Sequence, residues 1–252
     1  MQFFDDESFK DFLGLPMYEE NHAWGIEKRF RVTKDKIGDF APIVRDTLYR
    51  HHSSFNVVDE INALGFPLSA EAMRIRNSGL PNDLRTRMGN IGEVIGAEFA
   101  RTYLNYQTTV IFPKRLNPNP EQSMKGVDIL GLREQNLSAE ILLGEVKSYT
   151  TLDKRAIIEA YSNLKKLSEN KKLSIFFHFA KEYSSLQKNT DQIKNVDRHM
   201  GEDTPRNCFL LSITQAKSKN PFSDIPQESD FQLLAVYVQL EDVRSFLNQL
   251  FL

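Results

Sequence analysis

Two apolar runs of strand length stand close together near the middle of the chain, and each carries charge where a buried strand ordinarily has none. The first is Gly126-Val127-Asp128-Ile129-Leu130-Gly131-Leu132, and the second is Ala139-Glu140-Ile141-Leu142-Leu143-Gly144-Glu145-Val146-Lys147-Ser148. Between them, Arg133-Glu134-Gln135-Asn136-Leu137-Ser138 is turn-like in composition, so the pattern predicts a β-hairpin or a pair of adjacent strands. Side chains alternate along a strand, which puts Glu145 and Lys147 on one face and Val146 on the other. If the two runs pair, Asp128 reaches the face of Glu145. Two carboxylates and an ammonium then crowd the edge of an apolar sheet.

Such a cluster is costly on its own. Neighbouring carboxylates raise each other's pKa, and a partly buried charge loses hydration. A divalent cation removes the conflict. Mg²⁺, or Mn²⁺ in its place, takes hard oxygen ligands, keeps several waters, and is commonly held by one or two carboxylates with substrate phosphate. Asp128 and Glu145 would supply the carboxylates, the main-chain carbonyl of Val146 a further oxygen, and Lys147 would stand beside the water or the phosphate. This is a layout for phosphodiester hydrolysis.

The surrounding periodicity supplies a scaffold for that site. Leu84 to Leu104 predicts one long helix, with Met88, Ile91, Ile95, Phe99, Tyr103 and Leu104 at helical spacing. Gly92, Gly96 and Ala100 form a second stripe on it; glycine inside a helix costs about 1 kcal/mol relative to alanine, which points to a face packed tightly on a sheet. Gln107 to Phe112 reads as a strand, and the polar loop Lys114 to Lys125 then delivers the chain to Asp128. Within that loop Lys114, Arg115 and Lys125 are candidate phosphate contacts, with plain solvation as the alternative. After Lys147, Thr150-Thr151-Leu152-Asp153 offers capping residues for a helix whose apolar face carries Ile157, Ile158, Tyr161, Leu164 and Leu167. Lys165, Lys166, Lys171 and Lys172 at its end suit the helix dipole, or track a nucleic-acid backbone. Leu173 to Ala180 reads as a further strand, and Cys208 to Thr214 and Phe231 to Leu240 as later ones. Glu241 to Leu252 closes the chain as an amphipathic helix whose Phe246, Leu247, Leu250, Phe251 and Leu252 dock on the core or offer a partner surface. From Leu84 the order is helix, three strands, helix, strand.

The spacing of Asp128 and Glu145-Val146-Lys147 resembles the PD-(D/E)xK nuclease superfamily, which sets an Asp on one strand and Glu-x-Lys on the next. The resemblance covers roughly Arg85 to Ala180, with Val127 where the name-giving motif has Pro. Glu169-Asn170-Lys171 is a second Glu-x-Lys, but it lies in a polar helix end, whereas Glu145 follows Ile141-Leu142-Leu143. The resemblance implies a mixed α/β fold: a restriction-endonuclease-like α-β-β-β-α-β core with a central mixed sheet flanked by helices. It implies an Mg²⁺-dependent enzyme acting on DNA, with Asp128 and Glu145 as metal ligands and Lys147 as a catalytic residue. It also nominates Glu93, in the Gly92-Glu93 dipeptide, as a third acidic residue acting through metal or water; Glu98 is the alternative. More narrowly, Gly89-Asn90-Ile91-Gly92-Glu93, Gly126-Val127-Asp128 and Gly144-Glu145-Val146-Lys147 are similar to nuclease subunits of Hachiman-type bacterial antiphage systems. That resemblance implies a superfamily 2 helicase partner.

The remaining residues bound the reading. Of 252 residues, 40% are hydrophobic and 26% charged, enough for a large core. A formal charge of -2 means no global basic field gathers a polyanion, so nucleic-acid affinity rests on a local patch or a partner. The single Cys208 sits in an apolar run and excludes an internal disulfide. Met1-Gln2-Phe3-Phe4 runs into acidic residues and no apolar run approaches about 18 residues, so neither a signal peptide nor a membrane span is expected and the expected location is cytoplasmic.

Residues 1–80 read as an N-terminal accessory region with possible partner contacts, and 81–252 as the nuclease-like domain. Within the former, helices are expected at Phe40 to Tyr49 and Val57 to Leu64. His22, His51, His52, His178 and His199 lack metal-ligand spacing and read as packing or solvated residues. Arg74, Arg76, Arg85 and Arg87 are solvated or contact phosphate. Two alternatives stay open on the same fold: a non-catalytic interaction subunit, and an RNase or junction resolvase.

Overall fold

A computed structural model describes residues 6–52, 80–106, 108–110, 127–135, 138–169, 206–218, 220–227 and 232–251. The elements in chain order are α1 (Asp6–Leu13), β1 (Tyr18–His22), β2 (Gly25–Val32), α2 (Lys34–His52), α3 (Leu84–Leu104), β3 (Thr108–Val110) and β4 (Ile129–Gln135). Then come β5 (Ser138–Ser148), α4 (Lys154–Glu169), β6 (Arg206–Thr214), β7 (Leu233–Leu240) and α5 (Val243–Phe251).

The strands form one seven-stranded mixed sheet in the order β1-β2-β7-β6-β5-β4-β3. Its centre, β2, β7, β6 and β5, is parallel, while β5-β4-β3 and β1-β2 are antiparallel. Parallel strands are covered on both faces, and the near-continuous apolar runs Leu233–Leu240 and Cys208–Thr214 fit that environment. On one face Leu142, Val146, Phe209, Leu211, Val236 and Val238 pack beneath α1, α2, α3 and α5. On the other, Ile141, Leu143, Leu210 and Ala235 pack beneath Ile157, Ala160, Tyr161 and Leu164 of α4. The expected architecture, a central mixed sheet flanked by helices, is the one observed.

Particular elements refine the sequence reading. Residues 1–80 supply β1 and β2, and β2 pairs in parallel with β7, so the N-terminal region and the later strands share one sheet. The helix expected from Phe40 begins at Lys34 and contains Pro42. Phe246, Leu247 and Leu250 are buried, which settles that α5 docks on the core; Phe246 stacks near Phe12 of α1 with ring centroids 6.3 Å apart. The strand expected at 173–180 and the helix at 57–64 lie outside the described residues. The place beside β5 opposite β4 is held by β6, paired in parallel from Ile141↔Arg206 to Ser148↔Ile213. Cys208 is a buried thiol, its pKa pushed up to about 12 by burial. Among the described residues no helix is long and apolar enough to cross a membrane.

Candidate active site

The hairpin forms as its pattern requires. Gly144 stands opposite Ile129 and Leu143 opposite Leu130, a register whose continuation sets Asp128 opposite Glu145. Glu145 and Lys147 share the α4 face with Ile141 and Leu143, while Val146 points to the α3 face. The regular β4 strand begins at Ile129, and the Asp128 side chain takes over where it stops: its Oδ2 accepts a hydrogen bond from the Val146 main-chain N–H at 2.7 Å. The residue between Glu145 and Lys147 is thereby tied to the aspartate. Lys147 Nζ donates to Glu145 Oε2 at 3.2 Å. All of this lies at the carboxyl end of a parallel strand just before α4, the position where open α/β sheets place ligands.

The helix behind the strands is brought unusually close. A Cβ on Gly92 would stand 2.8 Å from both Ser148 Cβ and Val146 Cγ1, and one on Gly96 would stand 2.5 Å from Ile129 Cδ1. The glycine stripe read from the sequence is the contact line of α3 on the sheet. Asp83 caps the helix by accepting from the Thr86 N–H at 2.9 Å, and Asn105 ends it in the left-handed conformation with φ 56°.

Charge in the site is strongly biased. Glu145 is 6% exposed, and burial, then the Asp128 carboxylate, raise its pKa to about 7 against the opposing pull of Lys147. Glu93 on α3 is buried and adds a weaker push in the same direction. Burial acts to lower the Lys147 pKa, but the carboxylates of Glu145 and Asp128 outweigh it and hold the ammonium above its ordinary value. Two adjacent carboxylates, one of them held partly protonated near pH 7 by burial and by its neighbour, are a hard-oxygen donor set that fits a divalent cation. Among the described residues no three His, Cys, Asp or Glu side chains close into a metal-holding group by themselves. Water and main-chain oxygen would therefore have to complete any shell around Asp128 and Glu145.

Other candidates fall elsewhere. Glu98 is buried and spoken for by Arg101, whose Nη2 donates to Glu98 Oε2 at 2.8 Å. Arg87 donates to the Pro81 carbonyl at 2.7 Å and lies over the Phe251 ring, a packing role, whereas Arg85 is exposed. His22 stacks on Trp24, centroids 4.5 Å apart, and bonds to the buried Glu27. Lys114, Arg115, Lys125, Arg74, Arg76, Lys171, Lys172, His178 and His199 lie outside the described residues. Glu169 is the exposed last residue of α4, far in kind from the buried Glu145.

Two residues were missed in the sequence. Ser148, buried against Gly92, was legible only once the helix stripe and the strand end were known to touch. Tyr149, 38% exposed, follows Glu145 and Lys147 at the same two-residue interval, and that alternation was available from the sequence.

The family model of HamA matches residues 10–251. A curated relative, the Hachiman protein HamA of Bacillus cereus, is 35% identical over 85 residues, which is 34% of this chain and 30% of the relative's length. With nearly its whole length matched by that family model, the chain belongs to the HamA family.

Proposed function

We propose that this chain is a metal-dependent nuclease of the PD-(D/E)xK type that hydrolyses DNA phosphodiester bonds as the effector of a bacterial antiphage defence system. The carrying observation is the Asp128–Glu145–Lys147 constellation on paired strands, with Val146 N–H fixed to Asp128 and the Glu145 proton held near neutrality. Asp128 and Glu145 would hold Mg²⁺ or Mn²⁺, with Glu93 adding negative charge from α3. Such an ion, when bound, supplies charge stabilisation at phosphate oxygens and a nucleophile at neutral pH.

Lys147 stays protonated at neutral pH because its neighbours hold its pKa above the ordinary value, so it works as a fixed positive charge and proton donor rather than as a base. Placed beside the carboxylates, it would stabilise the negative charge that builds on the phosphate. The defence role is supported by membership of the HamA family and by the Hachiman relative. The superfamily 2 helicase partner rests on the family resemblance; a formal charge of -2 leaves room for such a partner to supply the affinity for DNA.

The test is cleavage of plasmid and linear DNA, with RNA in parallel, in Mg²⁺, Mn²⁺ and EDTA. Glu145→Ala and Lys147→Ala should each lower metal-dependent DNA cleavage by roughly 100-fold or more while circular dichroism stays native. Wild-type cleavage by either folded variant, or cleavage of RNA alone, would overturn the reading.

A further inference from the structure

Beyond the three charged residues, the strand that carries them continues for one more step on the same face. The Tyr149 N–H donates to the Ile213 carbonyl at 3.0 Å, which prolongs the β5–β6 ladder past Ser148. Residues 145, 147 and 149 therefore project alike. Tyr149 is exposed, as are Thr150 and Thr151, and shortly after them Asp153 caps α4 by accepting from the Arg155 and Ala156 N–H groups at 3.0 and 3.3 Å. The ring thus stands on a braced strand end beside the site.

A lone exposed tyrosine is ordinary on a protein surface. Its placement here is not. The other large exposed hydrophobic side chains among the described residues, Leu15, Met17, Tyr18, Ile26 and Leu84, lie on the N-terminal segments or at the start of α3. Tyr149 alone of that group adjoins the site, two residues beyond Lys147 on the strand that the bond to Ile213 prolongs. The formal charge of -2 denies the chain a long-range pull on a polyanion, so short-range contacts must position a strand at Lys147. An aromatic face is the contact that every base accepts, because every base has a π-face.

We infer that Tyr149 is a stacking platform for an unpaired base next to the scissile phosphate, so that the strand taken by this site is single-stranded or frayed DNA. This rests on the nuclease reading and narrows its substrate. In an intact duplex the base faces are covered by their neighbours, and the ring finds a partner only where the stack is opened.

The test compares wild type, Tyr149→Ala and Tyr149→Phe on a single-stranded oligonucleotide and on the same sequence within a relaxed, covalently closed circular duplex, which has neither loops nor ends. Cleavage kinetics are measured in Mn²⁺, and affinity by fluorescence anisotropy in a Lys147→Ala background. Tyr149→Ala should raise KM and weaken binding of the single strand by about 5- to 100-fold, with a smaller change in kcat and none for the duplex. Tyr149→Phe should restore single-strand binding, and the Ala deficit should persist at high salt, unlike a phosphate contact. If wild type cleaves but Tyr149→Ala binds the single strand equally well, the stacking role is wrong and the nuclease reading stands. If wild type fails to cleave, hydrolysis is wrong, and the binding arm still decides: a Tyr149-dependent affinity supports stacking, and equal or absent binding overturns it.

Discussion

The Asp128 carboxylate accepts a hydrogen bond from the main-chain N–H of Val146 at 2.7 Å, and Val146 is the residue that separates Glu145 from Lys147. One oxygen of the aspartate therefore braces the strand that carries the other two charged groups, and the proposed function gives the same carboxylate a second duty, toward the cation. The two duties separate by substitution. Asp128→Asn keeps an amide oxygen to accept from Val146, so its stability in urea should fall within about 1 kcal/mol of wild type while cation-dependent cleavage is lost. Asp128→Ala strands the Val146 N–H and should cost about 1–2 kcal/mol more. Equal stability of the two variants would show that the Val146 bond does not brace the strand.

Glu145 gives the metal-free protein a pH dependence whose sign follows from its raised pKa. The folded chain holds a proton on Glu145 up to about pH 7, whereas the unfolded chain releases it at an ordinary carboxylate pKa of about 4.3. The stabilisation is complete below the unfolded pKa and is lost as pH rises through 7. Up to about 4 kcal/mol is at stake between those limits. Urea midpoints in EDTA should fall from pH 5 to pH 8, and Glu145→Gln should flatten that slope. A slope identical in the variant would place the titration elsewhere.

Gly92 is where helix and site touch. A methyl group there would stand 2.8 Å from Val146 Cγ1 and Ser148 Cβ, on either side of Lys147 in the sequence. Gly92→Ala gains about 1 kcal/mol in helix propensity and loses about 1–3 kcal/mol to overpacking. Thermal unfolding should change modestly, but the strand end must shift to make room, and cleavage should fall by tenfold or more, since small displacements of positioned groups carry large rate effects. Full activity in a folded Gly92→Ala protein would show that the close approach does not position Lys147.

Much of this arrangement could be read in the chain because it is local. The hairpin, the shared face of Glu145 and Lys147 and the glycine stripe follow from periods of two and about 3.6 residues, and the cap at Asp153 from its residue type. What escaped is non-local. Gly25–Val32 has a charged pattern, and only its pairing with β7, some two hundred residues away, makes it a strand of the main sheet, with Tyr18–His22 added at its edge. The same holds for β6: its apolar run was legible, but its place beside β5 depends on which strand completes the parallel core. The helix expected from Phe40 begins six residues earlier, at Lys34, where Ile37 is buried in the core. The side-chain bond from Asp128 to Val146 could not be foreseen, since strand pairing alone does not say which way a carboxylate rotates.

The central claim is that Asp128 and Glu145 together take a divalent cation, and calorimetric titration of the metal-free protein with Mn²⁺ at pH 6 and pH 8 measures it directly. Saturable binding should appear in wild type, tighten at pH 8 as the proton on Glu145 is displaced, and vanish in Glu145→Gln and Asp128→Asn. Binding that survives in both folded variants, or no binding to wild type at either pH, would contradict it.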